Sequence, residues 1–318
     1  MSINTIKARI TGRTTQADKV AVIELASSNG ETFPNFEAGA HIDIHIDNEL
    51  IRQYSLCGNP GEEHRYRIGV LNDPQSRGGS RKIFADFKIG DELTISEPRN
   101  HFPVDSRAAH TILVGGGIGI TPLISMAYEL RNKGKSFDIH YCIKSKDQAG
   151  FVDELSEEFG KQITFHCSSD GLDKKFQAKR DLPKASSDIH IYICGPNNFM
   201  QALIEEAKSL GYTSKNVHFE FFQAEVDVSG SDIEVYCEES DITVMVGGDE
   251  SIATALKRAG VRVDVSCEEG VCGTCITDVS EGEPDHRDHF LTDEEKEDND
   301  QIAVCCSRSK SARLVLDI

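Results

Sequence analysis

The 318-residue sequence predicts a multidomain chain built of three parts in series. These are an antiparallel β-barrel, an α/β domain on a parallel sheet, and a small α+β domain. Three observations predict it. Residues 1–105 hold short alternating apolar runs punctuated by turn residues, and residues 106–223 alternate strand-like with helix-like runs. Residues 224–231, Ala-Glu-Val-Asp-Val-Ser-Gly-Ser, have no hydrophobic period and read as a linker to a compact module at 232–318. A chain of this length suits two or three domains.

In the first part, Val20-Ala-Val-Ile-Glu-Leu, His41-Ile-Asp-Ile-His-Ile and Tyr66-Arg-Ile-Gly-Val alternate as half-buried strands do. Turns at Ser28-Asn-Gly30 and Gly58-Asn-Pro-Gly61 separate them, and a helix over Arg81–Lys88 follows Gly78-Gly79-Ser80. Strands this short and this closely spaced favour a small barrel. In the second part the expected strands are His110–Val114, Phe137–Cys142, Ile163–Cys167, Ile189–Cys194 and Val217–Phe221. Helices are expected over Pro122–Lys133, Phe151–Phe159 and Asn198–Leu210. That alternation implies parallel βαβ units. The last part is β-rich with a helix at Ser251–Ala259, and its run Asp293–Asp300 reads as a solvated acidic helix or loop.

A composition of 38% hydrophobic and 27% charged residues describes a soluble globular chain. The start lacks the apolar core of a secretory signal. The longest apolar stretch, Thr111–Met126, is interrupted by four glycines and Pro122, so no membrane span is expected. The ten cysteines are expected reduced, in a cytoplasmic protein. Of the net charge of −19, residues 232–318 carry −14, from 22 Asp and Glu against 8 Lys and Arg. Such acidity argues against nucleic acid and membrane partners and for a partner with a basic docking face. The chain by itself is expected to be a monomer.

The sharpest motif is Cys267-Glu-Glu-Gly-Val-Cys272-Gly-Thr-Cys275, with Cys305 thirty residues on. C-x4-C-x2-C followed by a distant cysteine is the plant-type ligand set of a 2Fe–2S ferredoxin, in which four thiolates hold two irons. Gly270 and Gly273 lie between the ligands, where a loop turns its amides toward the sulfurs. A structural zinc site usually pairs C-x2-C with a second such pair or with histidine, and no second C-x2-C exists. The histidines are scattered, and His286 and His289 read as surface residues.

Three further motifs precede it. Arg52-Gln53-Tyr54-Ser55 puts a guanidinium and a phenol on one face of a strand, suited to a phosphate and a flat ring. Gly78-Gly79-Ser80 opens a helix whose first amides can bind phosphate, although glycines there also make a plain turn. Gly115-Gly116-Gly117-Ile118-Gly119-Ile120-Thr121-Pro122 follows a strand and departs from G-x-G-x-x-G by carrying Thr121 at the third glycine. Cys194-Gly195-Pro196 ends another strand, at the edge where open α/β sheets bind ligands.

These motifs in this order resemble phthalate dioxygenase reductase and its relatives, the reductases of vanillate demethylase and carnitine monooxygenase. They belong to the ferredoxin–NADP reductase superfamily, with a plant-type ferredoxin fused at the C-terminus. The resemblance spans essentially the whole chain. It implies an FMN-binding barrel at 1–105, an NADH-binding domain at 106–223 and a 2Fe–2S domain at 232–318. Arg52, Gly79 and Ser80 would hold the FMN phosphate, Tyr54 and Ser55 would contact the flavin, and Ile68, Gly69 and Val70 would run along its ring edge. Gly116, Gly117 and Thr121 would take NADH, with Cys194, Gly195 and Pro196 near the nicotinamide. Phe222 takes the family's aromatic position beside the flavin, with Phe221 adjacent. Of the neighbours Cys305 and Cys306, the family pattern before Ser-Arg selects Cys305 as fourth ligand with Cys267, Cys272 and Cys275, and leaves Cys306 to pack.

The implied activity is that of an NADH-dependent oxidoreductase delivering electrons singly to a Rieske-type oxygenase. Asp170, after the strand Ile163–Cys167, would repel a 2′-phosphate and suit a ribose hydroxyl, although Lys174 and Lys175 follow. Two rivals differ at the ends of the path: a haem-thiolate monooxygenase as acceptor, or a non-enzymatic iron–sulfur carrier. The flavin and nicotinamide motifs argue against the carrier.

Overall fold

The alternating runs at the N-terminus pair as antiparallel strands in the computed structural model, which describes residues 4–47, 50–74, 76–223 and 226–318. The strands are β1 (Thr5–Gln16), β2 (Val20–Ser27), β3 (His41–His45), β4 (Ile51–Ser55), β5 (Tyr66–Leu71) and, after helix α1 (Gly79–Asp86), β6 (Glu92–Ser96). They lie in the order β4-β3-β6-β1-β2-β5. A bridge from Leu56 to Ile68 brings the two edge strands together, as a barrel requires. One face of each strand fills the interior: Ala8, Ile10, Ile23, Ile42, Ile44, Ile68 and Ile95 are fully buried.

The second part carries β7 (His110–Gly116), α2 (Ile120–Asn132), β8 (Ser136–Ile143), α3 (Val152–Phe159) and β9 (Ile163–Cys167). A short helix α4 (Ala178–Asp181), β10 (Ile189–Cys194), α5 (Asn197–Ser209) and β11 (Val217–Glu220) complete it. The five strands are parallel in the order β11-β10-β7-β8-β9. Strand order reverses between β7 and β10, and a crevice opens beyond the carboxyl ends of such a pair. The glycine run and Cys194-Gly195-Pro196 sit there.

Barrel and α/β part form one compact unit, and the chain divides at Phe222/Gln223. A shared core explains this: Val20, Val22, Cys57 and Phe102 pack with Leu123, Met126, Phe151 and Tyr192. Polar contacts reinforce it. Arg67 on β5 reaches Glu154 on α3 at 2.6 Å, and Tyr128 on α2 donates to the same carboxylate at 3.0 Å.

The C-terminal unit comprises β12 (Ile233–Cys237), β13 (Ile242–Val246), α6 (Ile252–Arg258), β14 (Ile276–Glu281) and β15 (Pro284–Asp285). It continues with α7 (Asp293–Asp298), β16 (Gln301–Ala303), β17 (Arg308–Ser309) and β18 (Arg313–Leu316). The main sheet runs β13-β12-β18-β14-β16, with β12 and β18 parallel. The acidic run forms a helix because Thr292 and Glu295 make a reciprocal capping box and three acids occupy its first turn. Of the expected linker, Ala224 and Glu225 lie outside the described residues. Among the described residues no helix is long and apolar enough to cross a membrane.

Candidate functional site

On the barrel, the stem of Arg52 lies across the start of α1. A Cβ at Gly79 would stand 2.6 Å from Arg52 Cγ, so only glycine allows the approach. Helix α1 has no side-chain cap, and Ser80 Oγ is buried without a partner. Uncapped amides, an orphaned hydroxyl and a guanidinium on one helix start fit a phosphate ester. Tyr54 shares the Arg52 face of β4 and is half-buried, and burial pushes its phenol up, so it stays neutral. Ser55 is buried. Ile68 and Val70 turn their side chains into the barrel core, leaving Gly69 between them. A Cβ on Gly69 would meet Phe151 Cζ and Thr121 Cγ2, both at 2.8 Å, so β5, the glycine-loop helix and the start of α3 converge at this point.

At the crevice the two loops interlock backbone to backbone. A Cβ on Gly119 would lie 2.5 Å from Gly195 N, and one on Gly195 would lie 3.0 Å from Gly116 Cα. Thr121, at the end of the glycine run, turns inward: its hydroxyl donates to Ile118 O at 3.0 Å and the residue is buried. Gly116, Gly117 and Pro196 line a cleft of about 500 Å³, together with Lys19, Lys144, Ser168 and Lys175. Asp170 lies on the exposed turn after β9, accepting a hydrogen bond from Ser169 Oγ at 3.1 Å, and does not line the cleft.

Cys194 is fully buried, and burial together with the nearby Glu220 pushes its thiol well up, so it is not a thiolate. Glu220 is paired with Cys194 across β10 and β11. Its Oε2 has no partner, and burial raises its carboxyl to about 8. Phe222 packs on the core cluster that holds Cys194 and Phe151, while Phe221 packs on the opposite, α5 side. The two neighbours therefore serve different faces.

In the C-terminal unit Cys267, Cys272, Cys275 and Cys305 are all buried and are brought together. Cys267 interacts with Cys272 and with Cys305, and Cys275 with Cys305. Among the described residues no three His, Cys, Asp or Glu side chains close on a single-ion position. Four thiols in mutual contact suit the four-thiolate ligand set of a two-iron cluster. The ligand loop needs left-handed backbone at Gly270 (φ 69) and Gly273 (φ 71), where a side chain would also strike Cys306 Sγ and the Phe290 ring respectively. Cys306 thus packs beneath the loop. His289 is exposed as expected, but His286 is not a surface residue: its side chain is largely buried, 3.8 Å from the buried Asp288, because Asp288 anchors the 286–291 turn.

Comparison with known proteins agrees with this geometry. Residues 235–310 match the family described as "2Fe-2S iron-sulfur cluster binding domain". The chain is 44% identical over 305 residues to the vanillate O-demethylase oxidoreductase of Pseudomonas sp., covering 95% of this chain and 96% of that one. It is also 38% identical to the solved phthalate dioxygenase reductase, described as a modular structure for electron transfer from pyridine nucleotides to 2Fe–2S. That match has a TM-score of 0.76 and covers 99% of this chain and 98% of the other. The chain belongs to the phthalate dioxygenase reductase family. It is a reductase of the flavin and 2Fe–2S type, an oxidoreductase like its relatives. A type IV self-sufficient cytochrome monooxygenase contains a similar region, 32% identical with a TM-score of 0.88, covering 99% of this chain and 41% of that one.

Within this family fold, sequence reading missed two residues. Glu220 was hidden inside an ordinary strand run, where it alternates with Val217 and Phe219 and reads as a solvent-facing carboxylate. Phe151 gave none, because its left-handed backbone (φ 64) is set by tertiary contacts. Its amide donates to Gln16 Oε1 at 2.5 Å, and its ring fills the space beside Gly69.

Proposed function

We propose that this chain is the NADH-dependent reductase component of a two-component Rieske-type oxygenase system, passing electrons in the order NADH, FMN, 2Fe–2S cluster, oxygenase. Bound in these sites, FMN would take a hydride from NADH and return its electrons one at a time, and the cluster would carry them singly. The observation that carries the reading is the convergence of Arg52, Gly79 and the unpartnered Ser80 hydroxyl on one helix start. That is a site for a terminal phosphate, as FMN presents.

The remaining residues bind, orient or exclude. Tyr54 and Ser55 offer hydroxyls on opposite faces of β4, and the Ile68–Val70 backbone offers an edge. Gly116, Gly117, Thr121, Gly195 and Pro196 leave room for a dinucleotide backbone at the switch point. The neutral thiol of Cys194 and the protonated carboxyl of Glu220 form an uncharged floor, where a hydride donor meets no competing anion. Phe222 covers that floor from the core side. Cys267, Cys272, Cys275 and Cys305 are the cluster ligands. Asp170, two residues beyond the cleft-lining Ser168, favours NADH over NADPH by repelling a 2′-phosphate. The acceptor docks through a basic face onto the acidic surface of the C-terminal unit.

The test is cofactor release by acid from the purified holoprotein, followed by turnover with each nicotinamide at matched concentration. The reading expects about one FMN per chain and a clear NADH preference. FAD as the main flavin, or equal turnover with NADPH, contradicts it. A second reading, delivery to a haem-type monooxygenase, draws on the cytochrome monooxygenase likeness. Reconstitution against both acceptor types separates the two.

A further inference from the structure

The stretch that reads in sequence as a polar linker is held down along its described second half. Arg287 Nη1 donates to the carbonyls of Asp227 (2.5 Å) and Ser229 (2.8 Å), while its Nε and Nη2 grip Asp285 Oδ2 at 2.9 and 2.7 Å. Gly230 N donates to Gly248 O at 2.8 Å. Arg308, only 1% exposed, donates through Nη2 to Ser231 O and through Nη1 to Glu250 O, both at 2.6 Å. The two arginines hold these linker residues by main-chain oxygens, which is why its composition did not reveal the clamp.

The same arginines are continuous with the cluster loop. Arg287 N donates to Ser307 Oγ at 3.1 Å, and Ser307 lies two residues after Cys305 and directly before Arg308. The carboxylate of Asp288, next to Arg287, accepts from Phe290 N (3.1 Å) and Leu291 N (2.8 Å), and His289 N donates to Gly270 O at 2.9 Å inside the ligand loop. A forked guanidinium holding two carbonyls and a carboxylate is a connection that a flexible ammonium cannot reproduce.

We propose that Arg287 is a positioning residue of the electron path, clamping the linker to the cluster-bearing unit and so shortening the tether between flavin and cluster. The inference rests on the electron order given above. Between Phe222 and the first clamped residue, Asp227, the sequence has four residues; loss of the Arg287 contacts leaves Gly230 as the first held residue and lengthens the tether to seven. Effective concentration falls as about the −3/2 power of tether length once the span is exceeded, so releasing the Arg287 clamp should cut the encounter rate roughly twofold. Each encounter moves one electron from reduced flavin to one ferric iron, and NADH supplies the pair.

The experiment uses three full-length, cofactor-loaded variants: Arg287→Ala, Arg287→Lys, and a five-residue Gly/Ser insertion after Gln223 that leaves the clamp intact. Hydrogen exchange of residues 226–231, the spectrum of the reduced cluster, and stopped-flow rates of flavin and cluster reduction are followed after mixing with NADH. In Arg287→Ala, exchange at 226–229 should rise about tenfold and cluster reduction should slow roughly twofold. Flavin reduction and the cluster spectrum should keep wild-type values. Arg287→Lys should fall between the two. The insertion, which makes the tether nine residues, should slow cluster reduction roughly threefold without raising exchange. Unchanged exchange in Arg287→Ala overturns the clamp. Raised exchange with wild-type cluster reduction, or an insertion with no effect, overturns the positioning role. Failure of NADH to reduce the wild-type cluster would instead overturn the electron order, while exchange would still report on the clamp.

Discussion

The cluster site and the nucleotide crevice are built by opposite means. Four cysteine side chains make the first, three of them within nine residues. The crevice and the helix start on the barrel are made by missing side chains: Gly69, Gly79, Gly116, Gly119 and Gly195 come from four separate segments, and each lets another segment approach. A site of ligands tolerates change around it but not in it. A site of close approaches is sensitive wherever a Cβ would intrude, and its chemistry is set by what closes in, as with Glu220 and Phe151.

The largest effect that would sharpen this contrast concerns Glu220. Its carboxyl is raised from 4.5 to about 8 by burial, so the fold favours the protonated form. The stability it contributes is fully present below pH 4.5 and is lost as pH rises through about 8. At full titration that loss is on the order of several kcal/mol. Glu220→Gln, a neutral isostere, should flatten the decline in melting temperature of the N-terminal unit between pH 5 and pH 9. An unchanged pH profile would show that Glu220 is ionised and paired in the fold.

Next is Gly119→Ala. The added methyl would lie 2.5 Å from Gly195 N, and overpacking of this kind costs about 1–3 kcal/mol. Denaturant titration should show that loss, with weaker NADH binding, while the cluster absorbance stays intact. Equal damage to both sites would break the contrast. The smallest effect is electrostatic: acceptor turnover should fall several-fold between low and high salt, since surface charges are screened beyond a Debye length of ~8 Å. Flavin reduction by NADH should hardly respond. Charge reversal at Glu294 and Glu297 on α7 should flatten the salt dependence if that helix belongs to the docking face.

The contrast also explains what could be read from sequence. The cysteine spacing, the βαβ alternation and the barrel strands are local patterns, and the structure places strands Ile163–Cys167 and Ile189–Cys194 where the periodicity does. Expected helix ends moved by one or two residues, because caps depend on neighbours: α1 begins at Gly79 because Gly78 can take φ 98. Phe151, Glu220 and the Arg287 clamp left no pattern, since each is defined by contacts between segments far apart in sequence. The merging of barrel and α/β part into one unit is of the same kind. Arg67 and Glu154 are 87 residues apart and form a pair only in the fold. Asp170 illustrates the reverse: its place after β9 was legible, but its absence from the cleft lining was not.

The central claim is that electrons leave only through the four-cysteine site. Replacing Cys275 with Ser and following flavin reduction by stopped flow alongside coupled oxygenase turnover tests it most directly. The account predicts wild-type flavin reduction by NADH and no detectable delivery to the oxygenase. Undiminished oxygenase turnover in this cluster-less variant would show that the flavin feeds the acceptor directly, contradicting the order from NADH through FMN and the cluster.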